Sequence, residues 1–123
     1  MNLTLWVFQA VLAVVFAGSG VAKSTMSREK LLATGQTGVA LFPMPVVRAT
    51  AVAELFAVAG LILPWATGIG RVLTPLAALG LCVVMVGAAS SHARLREPGN
   101  VAVNALLFGL ALTVAIGRLA GLG

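Results

Sequence analysis

The chain has few of the residues from which redox or metal centres are built. It contains one cysteine, Cys82, and one histidine, His92. A lone cysteine excludes a disulfide within the chain and a dithiol motif. A lone histidine excludes bis-histidine haem ligation and a histidine-rich metal site in a single chain, so no metal ligands are assigned. Aspartate and tyrosine are absent. The acids are Glu29, Glu54 and Glu97, against eight Lys and Arg, for a formal charge of +5. In a water-soluble domain that balance would point to nucleic acid. Here the cations fall between long apolar runs, so anionic lipid headgroups are the expected counterpart and nucleic acid is not.

Apolar side chains are what the chain has in abundance. Of its 123 residues, 60% are hydrophobic, and the mean hydropathy is +1.09. That much apolar surface is solvated by a bilayer. The expected fold is a single all-α domain over residues 1–123, an integral membrane four-helix bundle with spans at about 3–22, 46–63, 72–91 and 100–117. No cation precedes the first run, so it reads as a retained helix and not a signal peptide. Between the first two spans, Ser27 can cap a short helix with Glu29 in its first turn, and Gly35-Gln-Thr-Gly38 would end it. Pro64 is expected just past the second span, and Pro75 in the first turn of the third.

Lys23, Arg28, Lys30 and Arg48 cluster at one membrane face with Arg94 and Arg96. Only Arg71 and Arg118 fall at the other. The positive-inside rule places the first group in the cytoplasm, and with it both termini on the extracytoplasmic side of the cell membrane. Trp6 and Trp65 then share the outer interface, where tryptophan is favoured. Small residues at helical spacing are expected to bring the spans together: Ala10, Ala13, Ala17 and Gly20; Thr50, Ala53, Ala57 and Gly60; Ala77, Gly80, Gly87 and Ser91; Ala105, Gly109, Thr113 and Gly117.

One carboxylate interrupts the second span. An acid at the centre of a helix in lipid costs roughly 2.5–3.5 kcal/mol on insertion scales. Glu54 lies about 13 Å inside the basic face at 1.5 Å per residue, so it needs a partner from another helix. The candidates in the same half are Ser19, Lys23, Ser90, His92, Asn100 and Asn104. Glu54 is read as an acid, base or ligand anchor in a polar pocket, or else as part of a polar network that fixes helix register. His92 is a proton carrier between water and Glu54, or an exposed interfacial residue; histidine side chains titrate near neutral pH. Lys23 either snorkels to headgroups or turns inward to Glu54. Asn104 bonds a neighbouring helix or a ligand. Arg48, about 120° round the helix from Glu54, is not a natural intrahelical partner. Gln9 is placed to bond a neighbouring helix.

The order of these motifs resembles a known family. Gly18-Ser-Gly-Val-Ala-Lys23 closes the first span and Arg28-Glu-Lys-Leu31 follows it. Glu54-Leu-Phe-Ala-Val-Ala-Gly-Leu-Ile-Leu-Pro64 forms the second. Gly87-Ala-Ala-Ser-Ser-His92-Ala-Arg94 closes the third, and Asn104 lies early in the fourth. Together they resemble the DoxX-like family of small four-helix bacterial membrane proteins. The resemblance implies a bundle in the cytoplasmic membrane, and some such proteins are linked to quinone-dependent sulfur oxidation or oxidant defence. It singles out Lys23, Glu54, His92 and Asn104. The expectation is a component of a membrane redox system. It would hold a quinone or lipid-like molecule around Glu54 and His92, with Lys23, Arg48, Asn104 and Ser19 as ligand contacts. Expected partners are membrane lipids, an apolar small molecule, a soluble redox protein at the cytoplasmic face and a second copy of the chain. The alternatives are a metal-free acid–base enzyme acting on an apolar substrate, an assembly factor, and a proton-coupled transporter.

Overall fold

A computed structural model describes residues 2–122. The elements are α1 (Asn2–Thr25), α2 (Arg28–Ala33), a 3-10 turn (Thr37–Leu41), α3 (Met44–Thr67), α4 (Leu73–Arg94) and α5 (Pro98–Ala120). No strand occurs among the described residues. The four long helices have 22 to 24 residues, or about 33–36 Å at 1.5 Å per residue, enough to cross a hydrocarbon core of about 30 Å. Each is long and apolar enough to span a membrane. The helices form an antiparallel ring in which α1 packs on α3, α3 on α4, α4 on α5 and α5 on α1. One end of the ring carries α2, the 3-10 turn and most of the cations, and is called here the basic end. The other, which gathers Trp6 and Trp65 around Arg118, is the tryptophan end.

Every span runs past its expected C-terminal limit, while α4 starts one residue after its expected beginning. The largest extension is at α3, which continues through Pro64 to Thr67 and ends at Gly68, whose φ of 76° suits glycine. Pro64 therefore lies inside the helix instead of beyond it. Proline has no N–H, so the Gly60 carbonyl loses its usual intrahelical donor. Thr74 of α4 replaces it, its Oγ1 donating to Gly60 O at 2.8 Å. Gln9 of α1 donates to the next carbonyl, Leu61 O, at 2.6 Å. The proline is tolerated because side chains from two neighbouring helices occupy the backbone around it.

The core is formed mostly by large side chains. On α1 the buried face is Leu5, Gln9, Leu12, Phe16 and Gly20, so Gly20 is the one member of the expected small-residue stripe on it. Leu12 and Phe16 join Leu61, Leu81, Met85, Leu107 and Val114 in one cluster. Small residues matter at a few crossings. A Cβ on Gly60 would sit 3.0 Å from the Ala77 Cβ, and one on Gly117 would sit 2.8 Å from Leu5. Gly80 and Gly109 face open space on the outside of the bundle, and Gly87 borders the cavity at the basic end.

The connection after α1 folds as a strap over the basic end. Ser27 caps α2 by accepting from Lys30 N at 3.2 Å, and Gly35, at φ 97°, reverses the chain. Arg28 ties the strap together, donating to Val39 O at 2.8 Å and Phe42 O at 2.7 Å. Leu31, Val39 and Val47 form a small apolar cluster beneath it.

Replacing Thr74 by valine leaves the Gly60 carbonyl without its donor and should destabilise the bundle by about 1–3 kcal/mol. Thr113→Val, which breaks only a bond to Gly109 O within its own exposed helix face, should change little. Thermal unfolding in detergent measures both. In a Pro64→Ala background the Thr74→Val cost should shrink, because the helix can again satisfy Gly60.

Candidate functional site at the basic end

Glu54 is fully buried, at 0% exposure. Its Oε1 accepts from Lys23 Nζ at 3.0 Å. Helix geometry explains why these two side chains meet. Side chains lean toward the N-terminus of their own helix. Lys23, near the C-terminal end of α1, therefore leans into the membrane. Glu54, on the antiparallel α3, leans back toward the basic end. Gly20 allows the close crossing: a Cβ there would sit 2.8 Å from the Leu55 side chain and 3.2 Å from Ala51 O. Lys23 thus turns inward instead of snorkelling to headgroups. Its side chain keeps 17% exposure, which opens it to the cavity described below.

Arg48 does not contact Glu54. Its Nη1 donates to Lys23 O at 2.6 Å, satisfying one of the carbonyls left open at the end of α1. Arg48 is therefore a positioning residue for the helix that carries Lys23. Glu54 Oε2 is buried without a partner among the described residues. Ser19 is half-buried and lies outside the cavity lining. Asn104 is buried on α5, which packs on α4 and α1. Its Nδ2 has no partner among the described residues, so the expected interhelical bond from this amide is not formed.

His92 stands in the last turn of α4. It pairs with Glu97, Nδ1 to Oε1, at 2.7 Å. Thr37 of the strap donates to the same Oε1 at 2.8 Å. An ionised carboxylate only accepts, so Nδ1 carries the proton of this bond. The hydrogen bond from His92, then that from Thr37, holds the Glu97 carboxyl below its usual value. The other ring nitrogen, Nε2, faces Gly38, where an added Cβ would sit 3.5 Å away. Glu97 and Thr37 were not among the sequence-derived candidates. The signal available was an acid five residues after the histidine, across the end of its helix.

Between the strap, α1, α3 and α4 lies a cavity of about 220 Å³. Lys23, Thr50, Ser91 and His92 supply its polar groups. Val39, Phe42, Val46, Val47, Val84 and Ala88 supply most of its apolar wall. It therefore gathers two of the expected site residues, Lys23 and His92. Glu54 lies behind Lys23, and Arg48, Ser19 and Asn104 do not line it.

A four-helix multi-pass membrane protein with a buried lysine–carboxylate pair beneath a small amphipathic cavity is the class that this fold and site define. The DoxX-like family matches residues 7–115, most of the chain, and the protein belongs to that family. No curated protein and no solved structure matches the chain.

Two outcomes are expected from these contacts. Removing one member of a buried ion pair costs about 3–5 kcal/mol when the other is left charged and enclosed. Lys23→Met should therefore destabilise more than Glu54→Gln, because the lysine retains access to the cavity and the carboxylate has none. Lys23→Met with Glu54→Leu should recover most of the loss in unfolding experiments. The second outcome concerns pH. The folded carboxyl of Glu97 titrates below the unfolded value of 4.5, so its contribution is full above that value and fades as pH falls through the lower, folded one. Hydrogen-exchange protection over residues 28–42, relative to the intrinsic rate at each pH, should fall on acidification below about pH 4.5, and Glu97→Gln should remove that dependence.

Proposed function

We propose that the protein binds the polar head of a quinone or quinone-like lipid in the cavity at the basic end, and serves a membrane redox system from there. The observation that carries this reading is the cavity's lining. An ammonium and an imidazole converge within an otherwise apolar wall, and ligand pockets commonly combine an apolar wall with a few placed polar groups. A volume of about 220 Å³ suits a ring and its oxygens, with the apolar tail left among the lipids. The Lys23 ammonium and a protonated His92 Nε2 can each donate to a carbonyl oxygen of such a ring. Glu97 accepts from Nδ1 and so orients the imidazole at the cavity. His92 is therefore the proton carrier in this reading, and Glu54 holds the Lys23 ammonium in place.

Reduction of a quinone takes two electrons and two protons. The protein's residues supply a route for protons, and a soluble partner supplies the electrons. Lys30, Arg94 and Arg96 are exposed at the same end and offer such a partner a basic docking face. By the positive-inside rule this end lies in the cytoplasm, and the bundle belongs in the cell membrane.

A second reading draws on the same geometry. A histidine oriented by a carboxylate and facing an apolar cavity is a general-base arrangement. It fits metal-free isomerisation or cyclisation of an apolar substrate.

Titration of a short-tailed quinone into the protein in lipid nanodiscs tests the first reading. Saturable binding is expected. His92→Leu should weaken it about tenfold or more, the worth of a hydrogen bond to a charged group. Gly38→Leu should abolish it by filling the cavity. Equal binding by wild type and Gly38→Leu would remove the reading, since quinone would then be partitioning into lipid.

A further inference from the structure

At the tryptophan end, Arg118 is buried at 3% exposure. Helical spacing from Leu107 through Ala111, Val114 and Ala115 carries it onto the core face of α5. Its Nε donates to Gln9 Oε1 at 2.7 Å, and its Nη1 to Asn2 Oδ1 at 2.6 Å. Its guanidinium lies over the rings of Trp65 and Trp6, 4.6 and 5.3 Å from their centroids. Arg71 lies over the same Trp65 ring at 4.1 Å. Two guanidinium groups thus share one indole. The acidic side chains of the chain are Glu29, Glu54 and Glu97. They lie in α2, in the first half of α3 and just before α5, all toward the basic end. No acidic side chain of the protein answers this pair.

Arg118 also has an unused donor. Its Nη2 is buried with no partner among the described residues. A buried donor left unsatisfied is costly, and more so when it is charged. Gln9 and Asn2 hold Nε and Nη1, so the direction in which the free Nη2 points is set. A guanidinium fork matches the spacing of phosphoryl oxygens. Tryptophan side chains favour the depth of lipid headgroups. The half-exposed Trp65 contacts both guanidinium groups and rests against Gly121, where a Cβ would sit 3.2 Å from the indole.

We propose that the tryptophan end is a phosphoryl-oxyanion site, in which Arg118 Nη2 and Arg71 hold the anion and the Trp65 indole shifts to admit it. The ligand is a phosphate monoanion or diester, carried either by an anionic lipid or free in water. The site is separate from the cavity at the basic end and does not depend on its ligand.

Trp6 and Trp65 are the two tryptophans of the chain, and both lie at this site, so intrinsic fluorescence reports on it directly. The protein is placed in phosphatidylcholine nanodiscs. One series adds inorganic phosphate at constant ionic strength, with chloride as the reference anion. A second replaces phosphatidylcholine stepwise by phosphatidylglycerol. A saturable emission shift in either series supports the site. Response to phosphatidylglycerol alone assigns a lipid headgroup, and response to phosphate assigns a soluble oxyanion. Arg71→Gln, at an exposed position that folding does not need, should weaken the response about tenfold or more. Arg118→Lys, which keeps the charge but loses the fork, should do the same. No saturable shift in wild type, or shifts unchanged in both variants, would overturn the proposal.

Discussion

A carboxylate enclosed among helices in lipid must be answered, and the contact between Lys23 and Glu54 is that answer. The desolvation of each ion costs several kcal/mol even after relaxation. The pair is tolerable only because the two groups meet at hydrogen-bond distance, 3.0 Å. That meeting requires α1 and α3 to be antiparallel, in register and close. Gly20 supplies the closeness and Arg48 secures the end of α1. The pair does not drive folding in the way apolar burial drives a soluble core. It selects one register for α1 against α3, and the strap and cavity are built on that register.

The two ends of the bundle solve the same problem differently. At the basic end each carboxylate that enters the protein meets a cation or a hydrogen-bond donor, and a cavity opens beside them. At the tryptophan end a guanidinium enters without an acid. It is held by two amides and two indoles, and one of its donors remains free. Toward the same end, Thr74 and Gln9 attend to the backbone around Pro64, and Gln9 joins that backbone to Arg118. Polar groups inside a membrane are few and expensive, and this protein gathers most of them toward its two ends.

Much of the fold was legible in the sequence because bilayer thickness sets a simple rule of length. The four spans, the Ser27 cap, the break at Gly35 and the interhelical role of Gln9 all follow from local signals. The length of α3 did not, because a proline reads as a terminus unless the reader knows that Thr74 will replace the missing donor. The packing stripes were only partly legible. Alanine and glycine are so frequent here that spacing alone cannot separate Gly60, pressed on Ala77, from Gly80, which faces outward. Glu54 and Lys23 could be picked out by depth, and the side-chain lean of antiparallel helices explains their contact. The pairing of His92 with Glu97 and Thr37 depends on how the strap folds back, which no periodicity encodes. Arg118 is placed with Arg71 at a membrane face by the sequence pattern, because a cation just beyond an apolar run usually marks that edge. Its burial shows only when the face of Leu107, Ala111 and Val114 is followed one turn further.

A side-chain-resolution structure of the protein in lipid nanodiscs, determined with a short-tailed quinone present, tests the central claim most directly. The account predicts a ring in the cavity within hydrogen-bond distance of Lys23 or His92, with the Lys23–Glu54 contact kept beneath it. A cavity filled by strap side chains, with the Glu54 carboxylate turned toward the acyl chains, would contradict it.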